Sequence, residues 1–191
     1  MTSEVLSEVS DKALKERLRG IRLLALDVDG VLTNGCINIG NQNEAFKSFY
    51  AQDGLGISLA VRHGIKVVIV TGRISMIVHN RARELDLTEV LDGVRDKGQA
   101  MDHLASKFKL KPEEIAFMGD DLNDLPALVK AGLAAAPADA VPEVRQRCQY
   151  VASRGGGRGA VRDLVEEIFK ARGLWDKVVS EYLAAGQGDK Q

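Results

Sequence analysis

Apolar and polar positions alternate along this chain in a repeating unit. A short unbroken apolar run is followed by a polar turn, then by a longer stretch with apolar residues three and four apart. The runs fall at Leu23 to Leu26, Ile65 to Val70 (interrupted by Lys66), Val90 to Leu91, Ile115 to Met118 and Leu133 to Ala136. Such runs predict strands buried on both faces. The first core strand is read over 21–28. Helical spacing covers 53–63, 75–85, 97–109 and 125–131, with Asp53 placed at the start of its helix and Gly64 as the stop. Strand and helix in strict turn imply an α/β fold, a Rossmann-like parallel sheet flanked by helices with right-handed crossovers. Outside this unit, 4–19 reads as an amphipathic helix, 142–146 as a short helix and 150–152 as a short edge strand. Two more helices are expected over 160–171 and 174–184, ahead of a frayed polar end at 186–191.

One stretch departs from the repeat. Cys36-Ile37-Asn38-Ile39 alternates, Gly40-Asn41-Gln42-Asn43 supplies turn chemistry, and Ala45-Phe46-Lys47-Ser48-Phe49 follows. Residues 35–49 therefore predict a β-hairpin projecting after strand one. Ile37, Ile39, Phe46 and Phe49 are too many apolar residues for a free flap, so a partner subunit is expected to cover them. With no internal repeat and no long linker, residues 1–191 read as a single domain. Its tail, 155–191, is a glycine-rich turn followed by helices.

Bulk properties narrow the function. The 191 residues are 45% hydrophobic and 28% charged with a formal net charge of −1. No basic field offers itself to nucleic acid or membrane, and 5% aromatics make a base-stacking surface a poor fit. No apolar run approaches a membrane span, and Met1 to Ser10 lack a signal-peptide pattern. A cytoplasmic protein is expected, with Cys36 and Cys148 reduced. His63, His79 and His103 stand apart from one another, unlike a metal cluster.

The chemistry gathers where strands end. Asp27 and Asp29 close strand one and, two apart on extended backbone, point the same way. Thr71, Gly72 and Arg73 close strand two. Lys97 begins the helix after strand three, and Asp120, Asp121 and Asp124 follow strand four. In a parallel sheet these lie along one edge, where ligands bind. An aspartate pair alone could merely cap a turn; four segments converging on one edge say more. Crowded carboxylates call for a hard divalent cation, and all-oxygen ligands favour Mg²⁺. Acids, a metal, a lysine and a hydroxyl fit phosphoryl transfer, while no nucleophile-elbow Ser-His pair and no dinucleotide fingerprint is present. In this reading Asp27 attacks phosphorus and Asp29 serves as acid, then base. Asp27, Asp120 and the Asp29 carbonyl hold Mg²⁺, while Thr71 and Lys97 fix phosphoryl oxygens.

The motifs Asp27-Val28-Asp29-Gly30-Val31-Leu32-Thr33, Val70-Thr71-Gly72-Arg73, Lys97 and Gly119-Asp120-Asp121-Leu122-Asn123-Asp124 resemble those of the haloacid dehalogenase superfamily over about residues 20–170. The opening, the hairpin, Phe49 to Gly56, and the tail Gly156-Gly157-Arg158-Gly159-Ala160-Val161-Arg162 are similar to those of 3-deoxy-D-manno-octulosonate 8-phosphate (KDO 8-phosphate) phosphatases. That resemblance implies a haloacid dehalogenase-like fold with no large cap. It implies Mg²⁺-dependent hydrolysis of KDO 8-phosphate through an aspartyl phosphate, in lipopolysaccharide biosynthesis. It also implies a homotetramer in which hairpins and tails of neighbours close each site, with Asp27 as nucleophile, Asp29 as acid/base, and Asp120, supported by Asp121 and Asp124, on the metal. Arg73 favours this group over the related nonulosonate 9-phosphate phosphatases, which tend to carry an acid there and remain the alternative. Arg81 resembles a position reaching a neighbour's substrate carboxylate. Gln52 and Arg158 depart from the group's common Arg and His, and both bear on which sugar is accepted.

Overall fold

The computed structural model describes residues 3–41 and 43–185. The expected frayed end, 186–191, and Gln42 of the hairpin turn lie outside the described residues. Six strands, β1 (Leu23–Leu26), β4 (Lys66–Val70), β5 (Glu89–Leu91), β6 (Ile115–Met118), β7 (Leu133–Ala136) and β8 (Tyr150–Val151), form one sheet in the order β5-β4-β1-β6-β7-β8. Every pairing in it is parallel. The first strand is shorter than the expected 21–28, because its last residues leave the ladder to form the site.

The unbroken apolar runs serve two cores at once. In β1, Leu24 and Leu26 face one side while Leu23 and Ala25 face the other, and all four are fully buried. Helices α2 (Ala51–Arg62), α3 (Met76–Glu84), α7 (Ala160–Ala171) and α8 (Trp175–Ala185), with α1 (Ser3–Gly20), bring Ile57, Val78, Leu164, Val178 and Leu18 to the first side. Helices α4 (Lys97–Phe108), α5 (Leu125–Lys130) and α6 (Pro142–Arg145) bring Leu104, Ala127 and Val144 to the second. The chain winds outward from β1 through β4 to β5, then α4 carries it across the other face to β6. Winding therefore reverses between β1 and β6, and the loops leaving these strands part and open a crevice.

The hairpin is present as an antiparallel pair, β2 (Asn38–Gly40) with β3 (Asn43–Phe46). It is shorter than 35–49, and its apolar residues divide. Ile39 and Phe46 are 77% and 56% exposed, whereas Phe49 packs back on the core and carries the Arg81 guanidinium 5.7 Å above its ring. A second correction concerns Asp53. Helix α2 begins at Ala51 behind Tyr50, so Asp53 lies within its first turn and does not cap it. Its buried carboxylate instead accepts the Gly159 and Arg162 N–H groups, at 3.1 and 2.9 Å, at the start of α7.

Candidate active site

The site begins where β1 runs out. Asp27 N–H still donates to Met118 O at 3.1 Å, continuing the β1–β6 ladder. The backbone then coils, with the Val31, Leu32 and Thr33 N–H groups all donating to Val28 O. Gly30 takes φ +95°, and a Cβ there would stand 2.0 Å from Asp120 Oδ2. Only glycine allows that backbone conformation and lets the Asp120 carboxylate reach the β1 loop.

Lys97 joins the carboxylates. Its Nζ lies 2.8 Å from Asp27 Oδ1 and 2.5 Å from Asp124 Oδ1, and all three side chains are almost wholly buried. A lysine at the start of α4 opposes the helix dipole; the two carboxylates supply the reason for it. Asp124 is the internal strut of the loop, since its Oδ2 accepts the N–H groups of Asp120 and Asp121 at 2.9 and 3.2 Å. Oxygens of Asp27, Asp120 and Asp124 lie within 4.8 Å of one another.

One ammonium does not balance this set. Burial, then the charge of Asp124, pushes the Asp27 carboxyl up to about 6 despite Lys97. Burial, then the charges of Asp27, Asp124 and Asp121, pushes Asp120 up to about 7. Buried carboxylates held together against their own repulsion are a fit site for a hard dication, which would relieve both. The carboxylates offered are those of Asp27, Asp120 and Asp124. The Asp29 carboxylate is not among them, and Asp121 is exposed, its Oδ1 accepting Leu122 N–H at 2.7 Å as a cap.

Asp29 is engaged elsewhere. Lys47, from the segment just after β3, donates to Asp29 Oδ1 and lies 2.9 Å from Glu44 Oε1. Arg73 Nε approaches Asp29 Oδ2 at 3.5 Å. Glu44 also accepts from the Ser75 hydroxyl, and Ser75 caps α3 by accepting Val78 N–H at 3.4 Å. Thr71 is buried at the end of β4. Its N–H donates to Leu91 O and its carbonyl accepts Val94 N–H, so β5 and its loop fix it.

The remaining sequence-predicted residues divide. Gly72 and Arg73 lie on this edge. Arg81 does not meet the carboxylates in this chain; it packs on Phe49 and pairs with Glu84 at 2.9 Å. Arg158 is exposed on the glycine-rich turn. That turn is seated against the β1 loop: Gly157 N–H donates to Val31 O at 2.9 Å, and a Cβ on Gly156 would fall 1.8 Å from Gly30 O. Gln52 accepts from Arg154 at 2.6 Å, tying α2 to the same tail. Sequence reasoning missed Lys47, Glu44 and the clamp made by Asp53. The available signal for Lys47 was a lone cation between Phe46 and Phe49 in a segment otherwise read as apolar.

A strand-end aspartate at the switch edge of a parallel sheet, facing a buried lysine and two acids of a following loop, defines the haloacid dehalogenase-like hydrolases. A model of that family matches residues 84–155. The chain is 42% identical over 161 residues to the 3-deoxy-D-manno-octulosonate 8-phosphate phosphatase KdsC of Escherichia coli K12, covering 84% of this chain and 86% of that one. The Moraxella catarrhalis phosphatase of the same name, solved with magnesium ion, phosphate ion and KDO, superposes with a TM-score of 0.86 at 35% identity, over 88% of this chain and 97% of that one. The cobalt-bound Haemophilus influenzae enzyme gives a TM-score of 0.85 at 34% identity, over 87% and 99%. The chain belongs to the family of 3-deoxy-D-manno-octulosonate 8-phosphate phosphatases.

Proposed function

We propose that this protein hydrolyses KDO 8-phosphate to KDO and inorganic phosphate with the help of Mg²⁺. The observation that carries the reading is Asp27, presented at the end of β1 and bonded to Lys97 inside a cluster of three carboxylates. Asp27 and Asp120, with Asp124 and the Asp29 carbonyl in support, would hold the ion. When bound, it neutralises charge on the phosphoryl oxygens.

The chain's own residues do the rest. The Asp27 carboxylate attacks phosphorus in line as the bond to the sugar oxygen breaks, and Asp29 gives its proton to that oxygen. Asp29 then takes a proton from the water that attacks the aspartyl phosphate, and Asp27 is restored as a carboxylate. Lys97, the Thr71 hydroxyl and the Gly72 N–H hold phosphoryl oxygens, as charge-assisted donors do best in a dry site. Arg73, beside Asp29, offers a cation to the acid sugar, with Arg81 and Arg158 completing recognition in the assembly.

The assembly is a homotetramer in this reading. Ile39, Phe46, Ile74 and Met76, all more than half exposed beside the hairpin, supply its apolar contact. In the same reading the protein works in the cytoplasm, a reducing compartment that suits its free Cys36 and Cys148. The test is phosphate release from KDO 8-phosphate, with and without Mg²⁺, beside a panel of other sugar phosphates. Selective, Mg²⁺-dependent release is expected, and Asp27→Asn should abolish it with the fold intact. An active Asp27→Asn protein would sink the mechanism, and preference for another acid-sugar phosphate would move the substrate.

A further inference from the structure

We propose that Lys47 is a positioning residue for Asp29: it fixes the carboxyl so that Oδ2 is the oxygen that exchanges a proton with the leaving group. The inference rests on the reading of Asp29 as acid and base. Lys47 directly follows a two-stranded ribbon, where a lysine would ordinarily point to water. Here its side chain is 2% exposed and its ammonium bridges Asp29 Oδ1 and Glu44 Oε1. Two carboxylates, Asp29 and Glu44, thus face one buried ammonium. Glu44 is anchored in turn by the Ser75 hydroxyl at the start of α3. The β1 loop, the hairpin and the helix after β4 are thus joined through Lys47 and Glu44.

An ammonium has donors and no acceptor. The oxygen it touches can only accept, so Oδ1 is occupied whether or not Asp29 carries a proton. The proton to be transferred must sit on Oδ2. Among the described residues, that oxygen has only the exposed Arg73 near it, at a looser 3.5 Å. Without Lys47 the carboxyl could rotate, and either oxygen could carry the proton away from the bond being broken.

This role predicts a dependence on the leaving group that a merely structural role does not. Nitrophenolate departs without a proton; a phenol or a sugar alcohol needs one. The measurement is kcat/KM, which covers steps up to departure of the alcohol, on p-nitrophenyl phosphate, phenyl phosphate and KDO 8-phosphate. For Lys47→Met, a loss of about ten- to a hundredfold is expected on the last two, against less than about threefold on the nitrophenyl ester. Lys47→Arg should restore most of it. Glu44→Gln should show the same contrast at smaller size, and it carries the test if Lys47→Met does not fold. Equal losses on all three esters would make Lys47 structural, and loss on KDO 8-phosphate alone would make it a sugar contact; either overturns the proposal. Asp29→Asn is the control: if it shows no contrast between the two aryl esters, the reading of Asp29 fails, separately from the inference about Lys47.

Discussion

Asp53 offers a measurement of how the tail is held to the β1 loop. The side chain is 2% exposed, and each of its oxygens accepts one main-chain N–H, from Gly159 and Arg162. The turn it clamps packs Gly156 on Gly30 and bonds Gly157 to Val31. Replacing Asp53 with Ala leaves two donors at the start of α7 without a partner, which should cost about 3 kcal/mol. The charge itself matters less. Burial pushes the Asp53 carboxyl up against the pull of those same hydrogen bonds, so holding the charge there carries a cost that a neutral acceptor avoids. Asp53→Asn keeps one acceptor without the charge and should lose only about 1 kcal/mol. Urea unfolding at constant m gives both values. A cost below about 1 kcal/mol for Asp53→Ala would refute the clamp. An Asn variant as damaged as the Ala variant would refute the argument that the acceptor suffices.

Other consequences follow from the carboxylate cluster. Lys97→Met should cost about 3 kcal/mol at pH 8 in thermal melts and less at pH 5.5, where Asp27 and Asp120 can take up protons in its place. Gly30→Ala should lower turnover about a hundredfold in a phosphate-release assay, because the new methyl displaces Asp120 while the far side of the fold is untouched. Asp120 rises from its ordinary 3.8 to about 7 on folding, so between those values the metal-free native state binds more protons than the unfolded chain. Its contribution to stability is therefore lost as pH rises through that window. Melting temperatures in chelator should fall from pH 4 to 7 on this account, and added Mg²⁺ should raise them most at the upper end. A rising profile in chelator would contradict the assignment.

Much of the fold was legible because a strand buried on both faces has no polar position to spare. Leu23 to Leu26, Ile115 to Met118 and Leu133 to Ala136 read as strands from that alone, and alternation with helices fixed their direction. The shared edge followed, since all strands of a parallel sheet end together. Partners within the edge were not legible. Asp121 and Asp124 are the same residue type in one loop, yet one caps a turn in solvent and the other is fully buried under Lys97. Periodicity reports which face a residue occupies, never which distant group meets it there.

The hairpin shows how that limit bears on function. Its composition implied a surface in need of cover; Ile39 and Phe46 are exposed, while Phe49 packs on the core. Its lysine went unread, because a cation in a ribbon is ordinarily solvated. Lys47 is instead buried at the place where the ribbon meets Asp29. The same segment thus presents an apolar outer face and a charged inner contact to the β1 loop. A partner that shifts the ribbon would shift Lys47 with it, and so the carboxyl it holds. If a second copy covers the ribbon and Asp29 moves the proton, assembly and proton transfer would be coupled through Lys47. If so, the leaving-group contrast of Lys47→Met should reappear in a chain that keeps Lys47 but is made monomeric by Phe46→Lys, measured by kcat/KM on phenyl and p-nitrophenyl phosphate. A monomer with the wild-type ratio would break that coupling while leaving the contact itself in place.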